Sequence, residues 1–210
     1  MNQSGRFQNL VTSAQELADL IGMPSELAIK KQRAELDRHM TTFIAESPFL
    51  LVGTVGRDGS CDVSPRGDAP GVALVLDSRT LVIPERAGNR RADSLRNILE
   101  TGRIALLFLV PGLGETLRVN GRACVLRDEN VLASLAVQGK QPLVAIGVEV
   151  EECFLQCAKA LIRSRLWQGD RIPSSLPSFA QILLDQTEIT GQTVDELQKA
   201  IEESYAQRLY

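Results

Sequence analysis

Phe49-Leu-Leu-Val-Gly-Thr-Val-Gly-Arg-Asp-Gly-Ser-Cys-Asp-Val-Ser-Pro-Arg-Gly67 decides the fold. Its first part, Phe49 to Val55, is apolar and rich in residues that suit a pleated, half-buried surface. Arg57-Asp58-Gly59-Ser60 follows, and an Asp-Gly pair between two such runs is a strong short-range hairpin signal, because Gly accepts the positive φ that a tight turn requires. The chain then returns as a second strand from Cys61 to Arg66. The reading is local: two strands, antiparallel, joined by a turn too short for any other pairing.

Downstream the same grammar repeats. Val72–Leu76 and Leu81–Pro84 form a second expected hairpin around Asp77-Ser78-Arg79. Residues 89–100 read as a helix carrying Leu95, Ile98 and Leu99 on one side, stopped by Gly102. Ile104–Val110 is a buried strand, Pro111–Gly114 a turn, and Glu115–Leu126 a long alternating strand. Asp128–Val137 reads as helix, Leu143–Val150 as the last strand, and Glu151–Trp167 as a further helix. A loop with Pro173 and Pro177 leads to two terminal helices, each opened by a capping box, Ser178-x-x-Gln181 and Thr193-x-x-Glu196. Upstream, Ser13-x-x-Glu16 opens one helix, and Ser25 is the expected N-cap of another that continues to residue 46. The organisation expected is therefore a helical extension over 1–46, a core over 47–168 of about six antiparallel strands with one inserted helix, and a helical extension over 169–210. Repeated hairpins favour a barrel or a sandwich, and neither βαβ alternation nor a GxGxxG run supports a dinucleotide-binding domain.

Composition narrows the function. The 210 residues carry a net charge of −3, which argues against a general nucleic-acid binder. The longest apolar run, Ile104–Val110, is far short of a bilayer span, and the first residues lack the apolar stretch of a secretory signal. A cytoplasmic protein without membrane or nucleic-acid partners is expected. Cys61, Cys124, Cys153 and Cys157 form no CxxC pair, and the single histidine, His39, is remote from them, so no metal site is expected. Cys153 and Cys157 fall four apart on the expected helix and read as buried reduced thiols.

The chemistry lies in the arginines. Arg66 sits in Ser64-Pro-Arg-Gly67, and Arg86, Arg90 and Arg91 sit in Pro84-Glu-Arg-Ala-Gly-Asn-Arg-Arg91, which leads into a helix. Helix N-termini offer free N–H groups, and guanidinium groups fit phosphate oxygens. Two readings stay open on these residues alone: a site for a phosphorylated small molecule, or a solvated basic loop ion-paired to Glu85 and Asp93.

Three stretches, SPFLLVGTVGRDGSCDVSPRGDAPG, LVIPERAGNRRADSLRNIL and RIALLFLVPGLGETLRVNGRA, resemble the pyridoxamine 5'-phosphate oxidase-like FMN-binding split-barrel proteins. The resemblance covers roughly residues 37–168, and KALIRSRLW, from Lys159 to Trp167, resembles the end of the core in one branch of that family. It implies a mainly β protein with flanking helices: a six-stranded antiparallel Greek-key split barrel, paired as a homodimer with FMN between the subunits. It implies that Arg66 reaches the FMN phosphate from the strand bearing Ser64 and Gly67, and that Asn89, Arg90 and Arg91, with Arg86 nearby, hold it from the start of the helix. Ile83 and Pro84 would present backbone to the isoalloxazine edge, and Thr116 would lie near the ring. Lys159, Ser164 and Trp167 would complete the site from the other subunit. Trp167 as an anchor of the last core helix, and Lys159 with Arg163 as a solvated face, are the alternatives. The chain departs from true pyridoxamine-phosphate oxidases in lacking the C-terminal segment with an arginine and a histidine that grips their substrate. The expected activity is thus FMN-dependent oxidoreduction of a different small molecule, with NAD(P)H or another electron donor, and no catalytic acid or base is assigned. A flavin-storing or flavin-sensing module, and the same barrel holding haem or a deazaflavin, are the competing functions.

Overall fold

A computed structural model describes residues 6–169, 175–187 and 191–207. The expected loop at Pro173 lies outside them. The chain divides into a small unit that ends at Gln32 and a large one that begins at Arg33.

In the small unit, α1 (Ala14–Ile21) begins where the Ser13 hydroxyl accepts the Glu16 N–H at 3.1 Å, and α2 (Glu26–Lys30) begins on Ser25 in the same way. The helix expected to run on from Ser25 to residue 46 breaks. Arg33 exchanges backbone bonds with Cys153 at 3.0 and 2.7 Å, and Leu36 N–H reaches Ser78 O at 2.7 Å, bonds that a continuous helix would not make. A new helix, α3 (Arg38–Glu46), then starts on Asp37, whose carboxylate accepts from the N–H groups of His39 and Met40. Met40, Phe43 and Ile44 of α3 are buried in the core of the large unit.

Seven strands, not six, make one antiparallel sheet: β1 (Phe49–Val55), β2 (Cys61–Gly67), β3 (Leu74–Asp77), β4 (Thr80–Pro84), β5 (Arg103–Leu109), β6 (Thr116–Leu126) and β7 (Ala145–Gln156), in the order β2-β1-β5-β6-β7-β4-β3. The Asp-Gly hairpin forms with Gly59 at φ +84° and Gly56 N–H bonded to Ser60 O at 2.8 Å. Alternation places Leu50, Val52, Ile104, Leu106, Phe108, Leu117 and Val119 in the core. α4 (Asp93–Thr101) connects β4 to β5 and packs on this layer through buried Ser94 and Ile98, and Gly102 ends it at φ +63°. Asn97 Nδ2 donates to Thr54 Oγ1 at 3.0 Å, which fixes the helix on β1.

β7 runs on to Gln156, so Glu151–Gln156 is strand where the sequence reads as helix. Glu151, Glu152, Leu155 and Gln156 are good helix formers, but β6 offers a partner along the whole length of β7, and ladder bonds outweigh intrinsic preference. At the register shift between Asn120 and Gly121 a Cβ on Gly121 would lie 2.0 Å from Glu149 O, so the bulge admits only glycine. The two cysteines four apart consequently separate: Cys153 is buried in β7, and Cys157, like Cys61 and Cys124, is exposed. Helix resumes only as α6 (Lys159–Ser164), while α5 (Glu129–Ser134) bridges β6 and β7. α7 (Phe179–Thr187) and α8 (Val194–Gln207) open on Ser178 and Thr193 as their capping boxes require. No helix among the described residues is long and apolar enough to cross a membrane.

Candidate functional site

The sheet's β2 edge, the end of β4 and the start of α4 enclose a cleft of about 540 Å³, within the size range of small-molecule sites. Period-two alternation turns Asp62, Ser64, Arg66 and, one residue past the strand, Asp68 to the same face, and all four line the cleft. Gly67, Pro84, Arg86, Asn89 and Arg91 line it as well. Of the thirteen residues expected at the site, seven thus meet in one place within a single chain. Ile83 is buried in β4 next to Pro84, its backbone paired with Ile146. Arg90 is exposed and stands outside the lining.

Thr116, Lys159, Ser164 and Trp167 lie elsewhere in the chain. Gly67, Phe49, Leu109 and Thr116 form one row across four strands, so Thr116 is about 14 Å from β2 along the sheet. Thr116 is buried and its Oγ1 donates to Gln156 Oε1 at 3.2 Å. Trp167 donates Nε1–H to Leu113 O at 2.7 Å, which ties the segment after α6 to the β5–β6 turn. Lys159, Arg163 and Ser164 are exposed.

Carboxylates dominate the cleft's electrostatics: Glu85 and Asp93 pair with arginines as the basic-loop alternative expected, whereas Asp62 and Asp68 were not assigned there by the sequence reading. Arg66 donates Nε–H and Nη2–H to Glu85 Oε2 at 3.1 and 2.9 Å, and Nη1–H to Pro65 O at 2.9 Å. Three of the five guanidinium N–H groups are used, two of them on Glu85. Arg86 is held by Asp68 Oδ2 at 2.7 and 2.6 Å and by Leu135 O at 2.9 Å. Asp62 Oδ2 accepts from Ser64 at 3.0 Å and from buried Ser94 at 2.6 Å, which joins β2 to α4 below the cleft. Asp93 bonds Arg91 Nε at 2.8 Å and holds its guanidinium still more firmly protonated. Strand alternation from Arg66 would have found Asp62 and Asp68, whereas Ser94 carries no such signal.

The start of α4 is conformationally unusual. Arg90 and Ala92 adopt left-handed φ values of +61° and +56°, and no side chain caps the helix at Ala92. Asn89 Oδ1 instead accepts the Arg91 N–H at 3.0 Å. Such conformations cost on the order of 1–3 kcal/mol each and cluster at ligand clamps. The arrangement suits a phosphate: donors from a strand face donors from a helix start, and the N–H groups of the first turn of α4 lack side-chain partners. A second cavity of about 680 Å³ adjoins, between the β1–β2 turn and α4, and shares Asp62, Arg91 and Asp93. Among the described residues no group of three or more His, Cys, Asp or Glu side chains could hold a metal ion.

No curated protein matches the chain. Among solved structures, HupZ of Group A Streptococcus is 18% identical, with a TM-score of 0.49 over 58% of this chain and 94% of its own. A Clostridium acetobutylicum protein related to general stress protein 26, of the pyridoxinephosphate oxidase family, is 16% identical, with a TM-score of 0.44 over 57% and 86%. An F420 reductase is 21% identical, with a TM-score of 0.38 over 52% and 92%. The family model described as pyridoxamine 5'-phosphate oxidase matches residues 36–157, which take in α3, the whole sheet and the cleft. That match spans more than half of the 210 residues, and the chain belongs to the pyridoxamine 5'-phosphate oxidase family.

Proposed function

We propose that this protein is a cytoplasmic flavoprotein that binds FMN in the β2–α4 cleft and oxidises or reduces a small molecule, drawing electrons from NAD(P)H or another donor. The observation that carries the reading is the meeting, in one cleft, of Arg66 from a strand with Asn89 and Arg91 from a helix start. Arg66, Arg91 and the first N–H groups of α4 hold the phosphate, Arg90 flanks them, and Pro84 with the Ile83 backbone lies along the ring. The flavin supplies the redox chemistry, and the protein supplies binding, orientation and charge.

The sheet is read as a split barrel of the FMN-binding type that works as a homodimer. Its outward face supports pairing. Val63, Gly53 and Ala105 form one row across β2, β1 and β5, and Pro65, Leu51 and Leu107 form the next. Val63 is 66% exposed and Phe49 37%. A contiguous apolar patch on a sheet face marks a contact surface, and a twofold contact uses the same patch on both copies. In the dimer Thr116, Lys159, Ser164 and Trp167 of one protomer face the flavin of its partner.

The visible spectrum of the purified protein tests the reading. A yellow protein that releases FMN, not FAD, on denaturation and is bleached by NAD(P)H is the expected result. A haem or deazaflavin spectrum replaces the cofactor. Colourless protein that takes up no FMN at micromolar concentration refutes the proposal.

A further inference from the structure

We propose that Glu85 holds, in the ligand-free protein, the edge of Arg66 that the flavin phosphate takes, and so sets how strongly the cleft distinguishes FMN from riboflavin. The inference rests on the FMN reading above.

All three arginines of the cleft are paired to carboxylates, Arg91 to Asp93 in a largely exposed pair, and Arg66 and Arg86 in more buried ones that are not alike. Arg86 and Asp68 are 15% and 7% exposed, and Arg86 is also fastened to Leu135 O, so this pair ties together the loop after β2, the end of β4 and α5. It is a strut. Glu85 is 24% exposed and, as Asp68 does with Arg86, meets Arg66 through one carboxylate oxygen. The Glu85 backbone is fixed separately, its N–H bonded to Val144 O at 3.2 Å. The side chain can therefore turn out to water while β4 stays in place. Nε and Nη2, the two nitrogens that Glu85 occupies, form the edge of a guanidinium that engages a phosphate in two parallel bonds. A carboxylate and a phosphate cannot both take that edge.

The charge balance points the same way. Arg66, Arg86 and Arg91 face Asp62, Asp68, Glu85 and Asp93, three cations against four carboxylates. A phosphate entering this cleft meets an excess of negative charge unless a carboxylate turns away, and Glu85 is the one that holds Arg66. Glu85 thus acts as an internal competitor for the phosphate and is indifferent to the ring.

Fluorescence-quenching titrations of the full chain with FMN and with riboflavin test this on wild type, Glu85→Gln and Glu85→Asp, with melting curves to check the fold. Glu85→Gln removes the charge, and Glu85→Asp shortens the reach to Arg66. Either is expected to tighten FMN about twofold to fivefold, the scale of one partly exposed charged competitor, and to leave riboflavin unchanged. Wild type that prefers FMN while the variants keep its FMN-to-riboflavin ratio overturns the role of Glu85 and leaves the flavin site standing. Weaker FMN binding by the variants overturns it as well, since Glu85 then contacts the bound flavin. Wild type and variants that all fail to bind FMN overturn the flavin reading and this inference together. If Glu85→Gln fails to fold, the Glu85→Asp ratio decides.

Discussion

Arg66→Ala tests the phosphate site most directly, and the structure sets its size. A hydrogen bond to a charged group contributes about 1.5–3 kcal/mol. In the free protein, however, Arg66 is not idle: it is bonded to Glu85 at 2.9 and 3.1 Å, and flavin binding exchanges that contact for the phosphate. A partly exposed ion pair is worth about 0–1 kcal/mol, which is subtracted from the gain. The net loss is about 1–2 kcal/mol, or about fivefold to thirtyfold in the dissociation constant for FMN. Riboflavin lacks the phosphate, so its affinity is expected to stay within twofold on the same scale of about 0.4 kcal/mol. Arg79→Ala, in the β3–β4 turn, is the control and leaves both ligands unaffected. Arg90→Ala, outside the cleft lining, is expected to have a smaller effect than Arg66→Ala. The assay is quenching of flavin fluorescence on titration, with a thermal melt on each variant. Equal losses for FMN and riboflavin would refute the assignment of Arg66 to the phosphate, whatever their size.

Three further outcomes follow from the fold. Leu107→Glu places a charge in the middle of the outward apolar rows of β1, β2 and β5 and is expected to convert a dimer to a folded monomer with weakened FMN binding; sedimentation reads the mass, and an intact dimer refutes the interface. Gly121→Ala forces a Cβ against Glu149 O at 2.0 Å and is expected to cost about 1–3 kcal/mol, a fall in Tm of about 2–12 °C; an unchanged melt refutes the bulge geometry. Burial pushes the Cys153 thiol up from 9.0 to about 11, so at pH 8 a thiol reagent is expected to titrate Cys61, Cys124 and Cys157 in the folded protein and Cys153 only on unfolding. The raised value favours the neutral thiol in the folded state. Its contribution to stability is complete below the ordinary value of 9.0 and is lost as pH rises toward 11, and four rapidly reacting thiols would contradict this burial.

The residues that the sequence placed correctly are those whose structure is decided by their neighbours. The Asp58-Gly59 turn and the alternation on either side of it give the β1–β2 hairpin without help from the rest of the chain. Ser13, Ser25, Ser178 and Thr193 cap their helices through hydrogen bonds that reach only three residues ahead. The meeting of Arg66, Asn89 and Arg91 in one cleft was legible too, because the resemblance that suggested it rests on short motifs. What the sequence misread depends on partners far along the chain. Glu151–Gln156 is strand because β6 lies beside it, with Asn120 opposite Glu152 at a separation of 32 residues. The helix breaks between Lys30 and Asp37, where Cys153 and Ser78 supply backbone bonds to Arg33 and Leu36. Asp68 was hidden for the same reason: the guanidinium of Arg86 meets it 18 residues back along the chain. A turn or a cap is closed by bonds between near neighbours and can be read from composition and spacing. A strand's length, a helix's interruption and the charge state of a cleft are set by whichever distant groups the folded chain brings within bonding distance, and those are known only once the chain has closed on itself.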